Sequence, residues 1–481
     1  MLIGGMAAFT GEALSRADVA WLHADSPTSH FVVTSLAILD SPLDVARLKA
    51  MLGNRIAQHP RLRQVVRESP LPFDAPRWVP ATGFDIDAHI HRVALPAPAG
   101  TAELASFIGD LFGQPLDTAR PMWELHVVEG PGRGGALVGR FHHSLGDGQA
   151  MVRLLRSLTD ETPDGWKRRP SRRRKRGASQ PGDGRSALAR AIDAIPAPLD
   201  LLRTAADGAG TLARLTLLDP DPPTLLHRPL SMLKAVSWTP PLSLAAIKAV
   251  AHATDTTVND VAVSVVAGGF GAYLRRAGVG TAGMRIRAMV PVNLRPPDDE
   301  GMTGNRFSLV YLEMPVGVTD PRERLMRVKT EMDRIKASLE PATGWLLVQG
   351  LGFLPKQMEQ LASRFYAQKA SLVLTNVIGP AEPVYSSGTR IRQMTFWEPQ
   401  SGELGVGVSI YSYAGSLTIG AVADRNLVAD PHVLTSDFSD AMEALSMACS
   451  SRQPDAMPAL TAARSGHARA SATRLKHSPA S

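Results

Sequence analysis

The motif HHSLGDG, residues 142–148, places the strongest restriction on how this chain can fold. An apolar stretch rich in β-branched residues precedes it and predicts a strand, and the helical spacing of apolar residues from Gln149 onward predicts a helix. The two glycines of the motif permit a tight turn between these elements. Because neighbouring side chains on a strand point to opposite faces, we expect one of His142 and His143 to face a cleft and the other to pack inward.

The length of the chain and its mixture of elements predict an α/β protein of two lobes. A chain of 481 residues exceeds what one small core can organise, and predicted strands and helices alternate in both halves. We predict an N-terminal lobe over residues 1–165, a basic, partly helical crossover linker over 166–240, a C-terminal lobe over 241–450 and a disordered tail over 451–481.

Three more specific predictions concern single elements. The proline-rich segment from Pro70 to Thr82 is predicted to be a loop. Two helices are predicted between the strands of the second half, over 321–339 and 356–368. The low-charge segment from Val258 to Leu274 is predicted to be a buried helix, whose glycines serve close helix packing and not a dinucleotide site.

The net charge of +7 is concentrated in one segment, KRRPSRRRKR at residues 167–176, which holds eight basic residues and no acidic ones. Without it the chain is close to neutral, so the protein as a whole is not of the nucleic-acid-binding kind. The run itself can be a solvated loop or can be attracted to an anionic membrane surface. Nucleic acid is a third interpretation, but no pattern of interleaved aromatic residues supports it, and we expect no nucleic-acid partner.

The N-terminus has no basic segment followed by a long apolar one, and no run of about 18 uncharged apolar residues occurs, so we expect neither a signal peptide nor a membrane span. The single cysteine, Cys449, excludes an internal disulfide and a CxxC metal site, and we expect it to be a packed residue. These features favour a cytoplasmic protein.

Several common catalytic motifs are missing: the sequence has no GxSxG elbow, no GxxxxGK[ST] phosphate loop and no HExxH zinc helix. The histidine motif is therefore left without an enzyme nucleophile. A histidine can still act as a general base on a substrate hydroxyl, which suits direct acyl transfer to an alcohol. A metal site of His142, His143 and Asp147 is the alternative, although adjacent strand residues diverge.

HHSLGDG resembles the active-site motif of the CoA-dependent acyltransferase superfamily, and four further segments resemble the bacterial wax ester synthase/acyl-CoA:diacylglycerol acyltransferase family. In PLDTARPMW (115–123), Met122 replaces the leucine of the family's PLW element, and in TNVIGP (375–380), Ile378 replaces a proline. The other two segments are TVNDVAVSVVAGGFGAYL (257–274) and VPVNLR (290–295). The likeness extends from about Leu14 to Met447, and five elements in the family's order make it specific.

The resemblance implies a role for each matched residue of the histidine motif. His143 would be the general base and His142 mainly structural. Asp147 would form an ion pair that braces the loop, with Arg295 as the candidate partner, and Gly148 would keep the turn unblocked.

The resemblance also implies roles outside this motif. Asn259 would donate a hydrogen bond to the oxyanion or to the acyl carbonyl, and its neighbour Asp260 would cap or brace its own helix. Trp123 and Asn376 would be wall residues of the substrate site.

The fold implied by the resemblance has two chloramphenicol-acetyltransferase-like lobes, each a mixed sheet flanked by helices, with the active-site tunnel between them. The substrates would be a long-chain acyl-CoA and diacylglycerol or a fatty alcohol, with no cofactor and no metal. The enzyme would associate peripherally with the inner face of the plasma membrane or with lipid inclusions. A different hydroxyl acceptor and a non-catalytic lipid-binding relative are the alternatives.

Overall fold

The computed structural model describes residues 11–69, 75–130, 134–167, 210, 213–294, 307–354, 356–400 and 404–450. Arg295, the basic run beyond Lys167 and the predicted tail over 451–481 lie outside these residues. The predictions made for them therefore stay predictions.

Strands occur in both halves of the described chain. They are β1 Glu12–Ala13, β2 Val32–Leu39, β3 Gln64–Arg67, β4 Arg77–Pro80, β5 Ile90–Ala94, β6 Trp123–Glu129, β7 Gly135–His142, β8 Lys234–Trp238, β9 Leu242–Ser243, β10 Ile286–Asn293, β11 Phe307–Met314, β12 Leu372–Ile378, β13 Tyr385–Ser386, β14 Thr389–Trp397, β15 Val406–Tyr413 and β16 Ser416–Asp424.

Helices lie between these strands in both halves. The α-helices are α1 Arg16–His23, α2 Val45–Ile56, α3 Thr101–Phe112, α4 Gly148–Leu158, α5 Leu244–Ala253, α6 Val258–Arg276, α7 Pro321–Lys336, α8 Glu340–Leu351, α9 Lys356–Ala367 and α10 His432–Ser450. Short 3-10 helices span Pro60–Arg63, Ile86–His89, His143–Leu145, Gly165–Lys167 and Leu225–His227.

Two mixed sheets flanked by helices confirm the predicted α/β architecture. The N-terminal sheet has the strand order β13-β14-β2-β7-β6-β5, and the C-terminal sheet has the order β11-β10-β12-β15-β16-β8, with β9 paired to β16. Most neighbours are antiparallel, whereas β5–β6, β10–β12 and β12–β15 are parallel. A small third sheet, β1-β4-β3, lies at the N-terminal end of the chain.

The second half of the chain supplies a strand to the first half's sheet. Strand β14 pairs with β2, with Trp397 opposite Thr34, and on the other side of β2 His142 lies opposite Val32. Both pairings are antiparallel, so β14 and β7 run in the same direction and end at the same edge of the sheet. The residues after Trp397 therefore lie close to the residues after His142.

Two element predictions are wrong in detail. The loop predicted from Pro70 to Thr82 contains strand β4, which pairs with β3 and ends at Pro80, where a missing N–H is tolerated. The helix predicted over 321–339 ends at Lys336, and helix α8 follows it, although no helix was predicted there. Pro341 lies in the first turn of α8, a position where proline is compatible with a helix.

Helix α6 is the buried central helix of the C-terminal core, as predicted. A Cβ atom on Gly269 would lie 2.3 Å from the ring of Phe438, and one on Gly271 would lie 2.3 Å from the carbonyl of Val316. These glycines permit close packing, which confirms their predicted role. No single helix in the described ranges is long and apolar enough to span a membrane, although α5 and α6 together pass by length and composition, with a bend of 100° between them.

Candidate active site

The histidine motif folds as a strand, a single 3-10 turn and a helix. Strand β7 ends at His142, and Asp147 caps helix α4 by accepting a hydrogen bond from the N–H of Ala150 at 2.9 Å. Gly146 has a φ of 163°, which any residue adopts, so it is not required for its conformation. Gly148 avoids a tight contact, because a Cβ atom there would lie 3.2 Å from a methyl group of Val377.

The two histidines face different surroundings, as the strand geometry predicted. Nδ1 of His142 accepts a hydrogen bond from the N–H of Ser144 at 3.2 Å, and its Nε2 lies 3.5 Å from a carboxylate oxygen of Asp25. Burial would raise the pKa of Asp25, but its contact with His142 outweighs burial and lowers this pKa. His142 is thus held by its neighbours in the N-terminal half, which fits a structural role.

His143 contacts a carboxylate that the sequence analysis did not identify. Its Nε2 lies 3.4 Å from Oε2 of Glu398, the first residue after β14, and both side chains are nearly inaccessible to solvent. Burial alone would lower the pKa of His143. The hydrogen bond and charge of Glu398, with the charge of Asp147, outweigh burial and raise the pKa of His143 above its ordinary value.

Aromatic rings surround the imidazole of His143. The ring centroids of Trp21 and Phe307 lie 5.6 Å from that of His143, and that of Phe31 lies 6.3 Å away. Trp21, from the first half of the chain, stacks on Phe307, from the second half, at 5.2 Å. The imidazole of His143 is therefore packed among aromatic rings from both halves of the chain, with the carboxylates of Glu398 and Asp147 nearby.

A cavity of about 120 Å³ lies beside His143, and both halves of the chain form its walls. The lining residues are Trp21, Phe31, His143, Asp147, Gly148, Met289, Pro291, Asn293, Phe307, Leu309, Val373, Thr375, Asn376, Val377, Glu398 and Pro399. The imidazole thus faces a space shared by the two lobes, where a base can meet two substrates.

Thr375 on strand β12 brings a hydroxyl group to this cavity. The side chain is 2% exposed, and its Oγ1 has no hydrogen-bond partner among the described residues. A buried hydroxyl without a partner is costly to the fold. It is also a donor that is available to a negatively charged oxygen in the cavity.

The predicted polar residues Asn259 and Asn376 contact each other. The amide nitrogen of Asn376 donates to the amide oxygen of Asn259 at 2.6 Å, and Asn376 is the one that lines the cavity of His143. Asp260 accepts a hydrogen bond from the N–H of Thr257 at 2.8 Å within a capping box, so it braces its own helix, as expected. Asn259 is therefore linked to the cavity by its hydrogen bond with Asn376.

Trp123 lies in the core of the N-terminal lobe and not on the wall of this cavity. It is 2% exposed, its indole N–H donates to the carbonyl of Leu62 at 2.8 Å, and it stacks on His89. Its prediction as a substrate wall therefore needs correction, because the register of β6 turns its ring away from the cleft. Arg295, the predicted partner of Asp147, lies outside the described residues.

Two further cavities border the one beside His143. The larger, of about 830 Å³, shares Trp21, Phe31, Met289 and Leu309 with it. The smaller, of about 110 Å³, is almost entirely apolar and lies between the N-terminal sheet and helices α2 and α4. It shares Gly148, Val377 and Glu398 with the cavity of His143, which therefore lies between this apolar cavity and the larger one, whose walls are both polar and apolar.

The described residues contain no group of three or more His, Cys, Asp or Glu side chains arranged to hold a metal ion. His142 and His143 point to different partners, so the alternative of a metal site formed by the motif has no support in its geometry. The two residues that the sequence analysis missed at the site are Glu398 and Thr375. Thr375 opens the matched segment TNVIGP, which gave a signal, whereas Glu398 follows a buried strand without any recognised pattern.

Comparison with protein-family models matches both parts of the chain. Residues 14–262 match the wax ester synthase/diacylglycerol acyltransferase catalytic domain, and residues 303–446 match the C-terminal domain of the same family. A probable diacylglycerol O-acyltransferase of Mycobacterium tuberculosis is 30% identical over 443 residues, which cover 90% of this chain and 95% of that protein.

Solved structures show the same fold. The wax ester synthase/diacylglycerol acyltransferase from Marinobacter aquaeolei VT8 is 20% identical and has a TM-score of 0.66, with 91% of this chain and 100% of that chain covered. The first condensation domain of the calcium-dependent antibiotic synthetase is 17% identical and has a TM-score of 0.59, with 92% and 97% covered.

Proposed function

The chain belongs to the wax ester synthase/diacylglycerol acyltransferase family, and from this membership and the cavity beside His143 we propose the reaction that it catalyses. The protein is an O-acyltransferase that moves a long-chain acyl group from acyl-CoA to the hydroxyl of a lipid alcohol. The observation that carries this proposal is the position of His143, which faces a cavity with walls from both halves of the chain.

His143 acts as the general base in a direct transfer. The imidazole takes the proton of the acceptor hydroxyl, and the acceptor oxygen forms a bond to the thioester carbonyl carbon. The tetrahedral intermediate then expels the CoA sulfur, which receives the proton from the imidazolium. The carboxylate of Glu398, 3.4 Å from Nε2, stabilises the imidazolium while it exists. No cofactor takes part, and acyl-CoA is a substrate.

The negative oxygen of the intermediate requires a hydrogen-bond donor. Thr375 offers a buried hydroxyl without a partner among the described residues, on the wall of the same cavity. We assign this role to Thr375 and give Asn259 a supporting one, since its amide oxygen holds the amide of Asn376 on the wall. A preorganised donor of this kind is worth roughly 3–4 kcal/mol in the transition state.

Diacylglycerol is the acceptor that we propose first, because the 30% identical relative is named a diacylglycerol O-acyltransferase. A fatty alcohol, which would give a wax ester, is the second candidate, since the family's description includes this activity. The cavity of about 110 Å³ has almost entirely apolar walls, which suit part of a hydrocarbon chain of either acceptor.

Purified protein incubated with palmitoyl-CoA, diolein and hexadecanol together tests the function and the acceptor. We expect triacylglycerol as the main product on thin-layer chromatography, and a loss of about 10²- to 10⁴-fold in rate for His143→Ala. Undiminished activity in that variant would refute the assigned base. An acylated side chain trapped during turnover would refute direct transfer.

The lipid acceptors reside in membranes or lipid inclusions, so the enzyme works at such a surface in our proposal, on the cytoplasmic side. The basic run over 167–176 supports this placement, because each basic residue near an anionic leaflet contributes about 1 kcal/mol to attraction. Replacing its eight basic residues by glutamine should weaken binding to anionic liposomes, most strongly at low salt. Unchanged liposome binding would contradict this electrostatic contribution.

A further inference from the structure

Helix α9 has its apolar face toward solvent. Met358, Leu361 and Phe365, spaced three and four residues apart, form one stripe along the helix and are 57%, 69% and 45% exposed. Glu359 points into the protein, is 1% exposed and contacts His23 at 3.0 Å. A helix on the surface of a globular protein normally has the opposite orientation, with apolar residues inward and charged residues outward.

The preceding helix, α8, extends this apolar surface. Leu346 is 69% exposed, and Phe353, in the turn directly after α8, is 61% exposed with the guanidinium of Arg16 4.4 Å from its ring centroid. Of the twelve large hydrophobic side chains that are exposed in the described part of the chain, these two and the three on α9 lie within twenty residues of sequence. We call the outer sides of α8 and α9 with these five residues the α8–α9 face. Such a concentration of exposed apolar residues is typical of an interaction site.

The exposed charged side chains of residues 340–367 are of one sign. Both acidic residues of residues 340–367, Glu340 and Glu359, are 1% exposed, and Glu340 contacts Arg334 at 2.7 Å. The charged side chains that are exposed within these residues, as far as the structure describes them, are Lys356 and Arg364. An apolar surface with basic residues and without exposed carboxylates suits an anionic phospholipid surface, which attracts the cations and buries the apolar groups.

The inner side of the same two helices lines a route to the active site. Leu347 and Leu351 of α8 and Ser363 and Ala367 of α9 line the cavity of about 830 Å³, which borders the cavity of His143. One pair of helices thus has an apolar outer face and an inner face on the space that leads to the base. A lipid acceptor held at these helices would therefore lie beside the cavity that borders the cavity of His143.

We propose that the α8–α9 face docks the enzyme on an anionic phospholipid surface. The proposal rests on the proposed function, since an enzyme that acts on lipid alcohols needs access to a lipid surface. Its test is independent of that function, because vesicle binding is measured without any turnover. The basic run over 167–176 then adds attraction, and the α8–α9 face supplies the apolar contact that holds the protein in place.

The test measures sedimentation of the full chain with vesicles of phosphatidylcholine and phosphatidylglycerol. The variant Leu346→Gln/Met358→Gln/Leu361→Gln should bind about 100-fold more weakly than the wild type, since each substitution removes one large apolar side chain from the lipid. High salt should weaken the wild type's binding only in part, because the apolar contact is not screened.

The matched control carries the same change at three exposed apolar residues outside the α8–α9 face, Met232→Gln/Leu233→Gln/Met447→Gln, whose exposures are 55%, 61% and 60%. This control should bind vesicles as the wild type does. Equal loss in both triple variants, or no loss in the α8–α9 variant, overturns the proposal.

A second measurement does not depend on the folding of the triple variant. In a Cys449→Ser background, Leu361→Cys carries a polarity-sensitive dye, which should shift to the blue when vesicles are added and should be quenched by lipid-borne nitroxide. A dye already blue-shifted without vesicles indicates that another segment of this chain covers the face, and overturns the proposal. If the wild type forms dimers, as measured by light scattering, and does not bind vesicles, the α8–α9 face is a dimer interface. That result also overturns the proposal.

Failure of this proposal differs visibly from failure of the proposed function. Protein that binds vesicles through Leu361 but forms no ester contradicts the function alone. Protein that forms triacylglycerol while the labelled residue stays in water contradicts the docking surface alone.

Discussion

At the scale of single residues, the pairing of His143 with Glu398 sets the proton affinity of the base that we propose. A neighbouring carboxylate holds the proton on the imidazole to a higher pH than usual, and the same carboxylate stabilises the imidazolium that the reaction generates. The base is thus protonated over a wider pH range but is a stronger proton acceptor when free. The rate should therefore rise with pH as His143 loses its proton.

Glu398→Gln should shift that rise to lower pH. The variant keeps the size of the side chain but removes its charge, so the pKa of His143 falls and the free base appears earlier. The maximal rate should fall about 10-fold or more, because the imidazolium loses its stabilising charge. A pH profile of kcat/KM for both proteins measures this. Glu124→Gln, which affects a glutamate near His126, is the control, and an unmoved acidic limb in Glu398→Gln would contradict the pairing.

Thr375→Val should lower kcat by about 100-fold while leaving the protein at least as stable as the wild type. Valine has the same shape, and it removes a buried hydroxyl that has no partner among the described residues. Thr375→Ser keeps the hydroxyl and should retain most of the activity. Steady-state kinetics and thermal unfolding of the two variants together separate an oxyanion donor from a packing residue, which would lose stability and not kcat.

At the scale of elements, the N-terminus of helix α4 depends on the side chain of its N-cap residue, Asp147. Asp147 closes the open end of the helix through the N–H of Ala150 and also raises the pKa of His143 by its charge. The helix N-terminus is therefore fixed directly after the residues that carry the base. Loss of the cap should therefore lower the stability of the protein and displace the residues that carry His143.

Asp147→Ala should cost about 1 kcal/mol of unfolding free energy relative to Asp147→Ser, because serine can cap a helix and alanine cannot. Urea denaturation of both variants gives this difference. If the predicted ion pair with Arg295 exists, Asp147→Ser will itself be less stable than the wild type. Equal stability of all three proteins would argue against both the cap and the ion pair.

Element boundaries were predictable where the local pattern was strong. The sequence predicts strands over 123–129 and 307–314 and a helix over 244–253, and β6, β11 and α5 have these limits, because periodic apolar residues and flanking breakers fix them locally. Helix α8 was missed because Pro341, Gly344 and Gly350 suggest a loop. Its formation depends on packing against α1 and β11, and no pattern within its own sequence gives that information.

At the scale of the whole molecule, we propose that the boundary between the two halves of the chain limits the access of water to His143. Trp21 and Phe307 stack across it at 5.2 Å and both contact the imidazole of His143. Exclusion of water matters because water competes with the lipid alcohol for the thioester. If water entered at this boundary, it would hydrolyse the thioester and the enzyme would release free fatty acid.

Phe307→Ala should raise the ratio of free fatty acid to ester formed from palmitoyl-CoA, by about 10-fold if the opened gap admits water to His143. Phe307→Leu retains apolar bulk and should keep a ratio near that of the wild type. Quantifying both products from radiolabelled palmitoyl-CoA measures the ratio. A fall in both products at a constant ratio would show that the ring serves stability and does not exclude water.

The sequence by itself determined the strand–turn–helix around His143, the α/β class and the family, because motifs and the spacing of apolar residues along the chain carry this information. Only the tertiary structure decided which distant groups meet the base. Glu398 and Phe307 reach it because β14 joins the first half's sheet and because the two sheets close around one cavity. The exposure of the apolar face of α9 was decided in the same way, since a helical pattern predicts an apolar side but not whether the fold covers it.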